Sequence, residues 1–193
     1  MNQVMENILT RRSVRVFKSE QISDVDLNTI LEAATFAPSG MNVQSWHFTV
    51  VQNNDKLVEL NSLVKEVILK YADDPSKPVI NGMRKMAENP NFNFFYNAPT
   101  FVIVTNSKTS ASPVSDCALA LQNIFLAAHS LQISSCWIHA LVWLNGLPEI
   151  RSLLTEFGVP EGHDVFGCAA LGFNGGNEPK PSPRKLGTVN ILK

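Results

Sequence analysis

Apolar residues recur at helical spacing near the start of the chain, with Val4, Met5, Ile8 and Leu9 on one side of residues 2–10. This spacing predicts a short amphipathic helix, and Val14, Val16 and Phe17 then predict an extended exit. Ser23 is placed to cap a second helix, with Asp24 and Asp26 in the turn where the helix dipole favours acids and Leu27, Ile30, Leu31 and Ala34 on its apolar face. Pro38 disfavours helical geometry in the residue before it, so this helix is expected to end at Ala37. Trp46 to Val51 reads as a buried strand, and residues 55–71 as a helix built on Leu57, Leu60, Val64, Ile68 and Leu69.

The pattern weakens over residues 73–97, a variable excursion with some helix, Asp-Pro and Lys-Pro breaks and the aromatic run Phe92, Phe94, Phe95 and Tyr96. That run either covers a cofactor or packs a loop onto the core. Residues 100–105 return to a buried strand, and Ser112-Pro113 opens the longest helix. Its body, residues 117–131, is apolar on nearly every face, so it must be enclosed by its own sheet and helices or by a second subunit. A short strand and turn follow at 134–140, then a helix over 150–157 stopped by Gly158, then a buried strand over 165–171 with Gly167 for tight packing. The tail carries Pro179, Pro181 and Pro183, the basic pair Arg184-Lys185 and a β-like 188–192, an arm expected to join a sheet edge of its own chain or of a partner.

With 193 residues, 45% hydrophobic and 17% charged, the chain suits one domain over 1–193 that buries roughly 70% of its unfolded surface. A net charge of −1 without a basic arm argues against a nucleic-acid partner. No apolar run of about 18 residues and no signal-peptide core is present, so no membrane span is expected. Cys117, Cys136 and Cys168 are widely spaced among apolar residues, as free thiols in the cytoplasm would be, and the four histidines show no metal-ligand spacing.

Against this background Arg11-Arg12-Ser13-Val14-Arg15 stands out, because forked guanidinium donors and a neighbouring hydroxyl match phosphate oxygens. A solvated basic patch is the alternative. Residues 38–46 form a second candidate, with short polar groups and a glycine that suit a planar, hydrogen-bonding ligand; Asn42 and Gln44 otherwise tie off their own turn.

Four segments in order resemble the FMN-dependent nitroreductase family: Arg11-Arg12-Ser13-x-Arg15; Ala37-Pro38-Ser39-x-x-Asn42-x-Gln44-x-Trp46; the turn from Ser134 through Ala140 after a long apolar helix; and Leu171-Gly172-Phe173 followed by the tail with Arg184-Lys185. The resemblance implies an α+β fold, a central mixed sheet of about five strands flanked by helices, and an intertwined homodimer with an extended C-terminal arm and FMN at the interface. It implies that Arg11, Ser13, Arg184 and Lys185 hold the phosphate, with Arg12 supporting it, and that Arg15 lies near the pyrimidine edge of the flavin. Pro38, Ser39, Gly40, Asn42 and Gln44 would come from the other protomer, and Trp137, Ile138, His139 and Ala140 would line the ring.

Hydride would come from NADH or NADPH and pass through FMN to a nitroaromatic, quinone or similar acceptor by a ping-pong route, with no protein acid or base assigned. His139 is either a proton donor or a structural side chain, and Cys136 a buried thiol. Storage or sensing of FMN and a specialised flavin reaction such as dehalogenation are the alternatives. Ser45 and Phe173-Asn174 stand where relatives often have proline and Tyr-Pro, which loosens the implied geometry there.

Overall fold

The computed structural model describes residues 2–71, 75–76 and 78–193; the breaks at Asp74 and Lys77 lie outside the described residues. Four strands, β1 (Trp46–Val51), β2 (Thr100–Ser107), β3 (Ser134–Ile138) and β4 (His163–Gly172), form one sheet in the order β1-β2-β4-β3. Every neighbouring pair is antiparallel. The α+β class is as expected, but four strands stand where about five were implied. The mixed character shrinks, among the described residues, to one parallel bridge between Ser13 and Ser135. The reason lies in the tail: among the described residues, 188–192 pair with no strand and are exposed.

Side chains alternate across the sheet, so β2 feeds two cores. Phe101 and Ile103 join one core with α3 (Asn54–Leu69), α4 (Pro78–Ala87), α6 (Ala140–Leu144) and α7 (Pro148–Glu156). Val102 and Val104 join the other with α2 (Asp24–Thr35) and α5 (Pro113–Ser130). The aromatic run serves packing: Phe94 and Phe95 are buried in the first core, and the Phe95 ring lies 4.5 Å from that of Phe101. α1 (Gln3–Thr10) rests on α5, where the Asn7 amide donates to the Leu126 carbonyl at 2.9 Å.

Ser23 caps α2 as expected, accepting from the Asp26 N–H at 3.1 Å, although the helix ends at Thr35, two residues before the predicted stop. Ser112 makes no such cap. Its backbone is not extended (φ −141°, ψ 48°), and its hydroxyl donates instead to Asp116 Oδ1 at 2.9 Å. Within one chain α5 is enclosed along Cys117, Leu121, Ile124, Phe125 and Ala128, while Val114 in its first turn and Leu119 on its other side stay 63% and 43% exposed. Gly167 is required where β4 passes beneath α5, because a Cβ there would come within 2.5 Å of Leu121 and 2.7 Å of Trp137.

Candidate active site

The extended segment after α1 is held as an added rung on the sheet. The Val14 N–H donates to the Ser135 carbonyl at 3.0 Å, the Lys18 N–H to Phe173 at 2.9 Å and the Gly175 N–H to Val16 at 2.9 Å. Alternation then turns Arg11, Ser13 and Arg15 to a common side, where all three act on the Cys136 thiol. That thiol is buried, and burial pushes its pKa up against the pull of Arg15, Arg11 and the Ser13 hydrogen bond, which makes it a packing group. The Arg11 guanidinium lies 5.8 Å over the Phe125 ring. Its pKa is lowered first by burial and then by the neighbouring charge of Arg12, with Arg184 adding to the effect. Arg184 of the tail is near enough for its charge to act on Arg11, and both it and Lys185 are exposed.

Arg12 is partly committed elsewhere. Its Nη1 donates at 2.7 Å to the carbonyls of both Leu9 and Arg11, where a cation suits the C-terminal end of α1. Its Nε is buried without a hydrogen-bond partner. Arg11 and Arg12 open onto a cavity of about 500 Å³, shared with His129, Gln132, Ser135 and Glu178. Ser135 is 1% exposed and its hydroxyl has no partner. A buried hydroxyl and a guanidinium nitrogen left unpaired beside surplus positive charge form a wall that a phosphate would satisfy.

From Phe125 an aromatic floor runs across the sheet. The Trp137 ring is 6.1 Å from Phe125 and 6.3 Å from His139, and His139 meets Trp143 edge-on at 4.7 Å. Trp137 Nε1 donates to His139 Nδ1 at 3.2 Å, which places the proton of the neutral imidazole on Nε2. Burial lowers the His139 pKa, which favours this neutral form. Ile138 and Ala140 are buried, so only their backbone can face a ligand.

The 38–44 loop sits elsewhere. Met41, Asn42 and Gln44 all have positive φ, at 51°, 56° and 52°. The turn is closed by a 3.1 Å bond from the Gln44 N–H to Ser39 Oγ and a 2.8 Å bond from the Gln44 amide to Asn42. Pro38, Asn42 and Gln44 remain exposed. The loop is anchored to the first turn of α5, where the Gly40 N–H donates to Asp116 Oδ1 at 3.0 Å. Asp116 is 2% exposed, and its Oδ2 has no partner.

Arg11 and His129 gather at the last turn of α5 and the 38–44 loop at its first. At 1.5 Å per residue these ends lie about 20 Å apart. One chain therefore brings together Arg11, Arg12, Ser13, Arg15, the residues around Trp137 and the basic tail, but not Pro38, Ser39, Gly40, Asn42 and Gln44. His129, Ser135 and Asp116 were not singled out from the sequence; a histidine four residues beyond Phe125 in a mostly apolar helix was the one available signal.

An α+β sheet carrying a cationic, partly unsatisfied cavity beside an aromatic floor defines a protein that binds a planar ligand with an anionic end. Residues 8–173 match the model of the Nitroreductase family, and the chain belongs to that family. It is 44% identical to a nitroreductase with bound FMN from Bacteroides fragilis NCTC 9343, with all of both chains covered and a TM-score of 0.92. It is 31% identical to a nitroreductase with bound FMN from Desulfitobacterium hafniense DCB-2, again over the whole of both chains, with a TM-score of 0.83. A protein of Archaeoglobus fulgidus, provisionally named an NADH dehydrogenase/NAD(P)H nitroreductase, is 34% identical over 90% of this chain and 86% of its own length.

Proposed function

We propose that this chain is an NAD(P)H-dependent FMN oxidoreductase that works as a homodimer, each cofactor site combining the arginine cavity and aromatic floor of one copy with the 38–44 loop of the other. The observation that carries this reading is the separation of the two residue groups to opposite ends of α5. A two-fold axis that pairs α5 with its copy head to tail sets the last turn of one helix beside the first turn of the other. The exposed Leu119 supplies apolar surface for that pairing, and the exposed 188–192 arm is free to reach the partner.

The residues present fit FMN. Arg11, Ser13, Arg184 and Lys185 would supply donors and charge for the phosphate, while Ser135 and Arg12 offer unpaired groups in the cavity that Arg11 lines. Trp137 and His139 would present apolar faces to the flat ring, with backbone from Ile138 and Ala140, and Arg15 would supply positive charge to stabilise the reduced ring. When bound, FMN supplies the redox chemistry, taking hydride from NADH or NADPH and passing electrons to a nitroaromatic, quinone or similar flat acceptor. The protein's part is to bind, orient and tune; no side chain is assigned to proton transfer. The whole chain acts as one domain in the cytoplasm, consistent with three buried free cysteines. Among the described residues no helix is long and apolar enough to cross a membrane.

Protein reconstituted with FMN should sediment as a dimer, show flavin bands, and bleach when NADH or NADPH is added without oxygen. Absence of flavin bands contradicts the reading, a monomer contradicts the composite site, and stable bands with no bleaching favour storage over turnover.

A further inference from the structure

His129 belongs to the arginine cavity although no motif of the sequence points to it. It lines the cavity with Arg11 and Arg12, and its Nε2 lies 2.8 Å from Thr10 Oγ1. That hydroxyl donates its single proton to the Glu6 carbonyl at 2.7 Å. It must therefore accept from the histidine, which fixes a proton on Nε2 and leaves Nδ1 as the atom that titrates. The charged groups around the ring are Arg11 and Arg12 from the segment after α1, Arg184 acting on Arg11 from the tail, and Glu178, which lines the same cavity. α1 contributes the Glu6 carbonyl through Thr10, and α5 ends here, its last-turn carbonyls favouring a cation.

We propose that His129 is a phosphate-facing ligand of the FMN site, neutral while the cavity is empty and protonated at Nδ1 from solvent as the phosphate arrives, so that cofactor capture takes up a proton. In the free protein, burial first and then the charges of Arg11 and Arg12 hold the His129 pKa below its ordinary 6.5. A phosphate with a charge of about −2 placed among the same groups offsets the positive field of Arg11 and Arg12 at the ring and raises the pKa. The holo protein then holds one more proton than the apo protein between the two pKa values, and FMN binds more tightly as pH falls through that window. This inference rests on the FMN reading above.

Titration of the histidine ring resonances by NMR tests it, with the apo protein compared with protein saturated by FMN and by riboflavin, which has the same ring without the phosphate. The resonance missing in His129→Gln, or in His129→Asn should that variant not fold, assigns the signal. FMN should raise the His129 pKa by about one unit or more, equivalent to about a tenfold change in affinity across the window, and riboflavin should leave it unchanged. A pKa unmoved by FMN, or moved equally by riboflavin, overturns the inference while leaving the flavin reading intact. Failure to bind FMN at any pH overturns both. Because the phosphate has its own titration, FMN dissociation constants are compared as the ratio of His129→Gln to wild type: the ratio should grow as pH falls from about 8 to about 6, and a flat ratio also overturns the proposal.

Discussion

Arg11→Ala is expected to weaken FMN binding by about ten- to a hundredfold while the protein still folds. A charge-assisted hydrogen bond contributes about 1.5–3 kcal/mol, and each 1.4 kcal/mol is a factor of about ten in affinity. The fold should tolerate the change, because Arg11 is half-buried and its side chain rests over the face of Phe125, a contact worth about 0.5–1 kcal/mol at such a site. Removing one of several crowded cations also relieves the repulsion it shares with Arg12 and Arg184. Arg11→Lys should restore charge without the forked geometry and recover only part of the loss. Fluorescence titration with FMN beside thermal melting checks this, and unchanged affinity would remove Arg11 from the phosphate site.

Gly40→Ala should have a comparable effect through the other half of the site. A Cβ at position 40 would lie 2.3 Å from Ser112 Oγ, so the hydroxyl must swing away and lose its bond to Asp116 Oδ1. Asp116 is buried and already has one oxygen unpaired, so a second loss leaves the carboxylate poorly compensated, at a cost of about 1.5–3 kcal/mol. The bond from Gly40 N–H to the same carboxylate anchors the loop that carries the left-handed Met41, Asn42 and Gln44 to α5. FMN affinity should therefore fall by about tenfold or more although position 40 carries no charge. Adding Ser112→Ala removes the clash, so the double variant should be less impaired than the sum of the two single changes. Additive losses would show that the contact between Gly40 and Ser112 does not control the loop.

Much of this architecture was legible in the chain. Ser23 with Asp24 and Asp26, and the β-branched runs of β1 and β2, are local signals, and the structure realises them locally. The alternation of Arg11, Ser13 and Arg15 could likewise be read, since an extended segment turns every second residue to one side. What could not be read depends on distant partners. Thr10 and His129 are 119 positions apart in sequence yet share a hydrogen bond. Ser112 reads as an N-cap, but its hydroxyl bonds Asp116, the carboxylate that also accepts from the distant Gly40 N–H. The strand count failed for a related reason: a β-like tail signals the capacity to pair, and not which edge, if any, it finds within its own chain. Local pattern also gave no hint that the two ligand-bearing segments lie at opposite ends of one helix.

The most direct test of a shared site is a heterodimer, isolated with two affinity tags, that joins one Arg11→Ala chain to one Gly40→Ala chain. With sites formed between subunits, one site carries both defects and the other carries neither. The heterodimer should bind about one FMN at wild-type affinity, at concentrations where both parent homodimers bind little. A heterodimer with no wild-type site would contradict the composite site and place each FMN within a single chain.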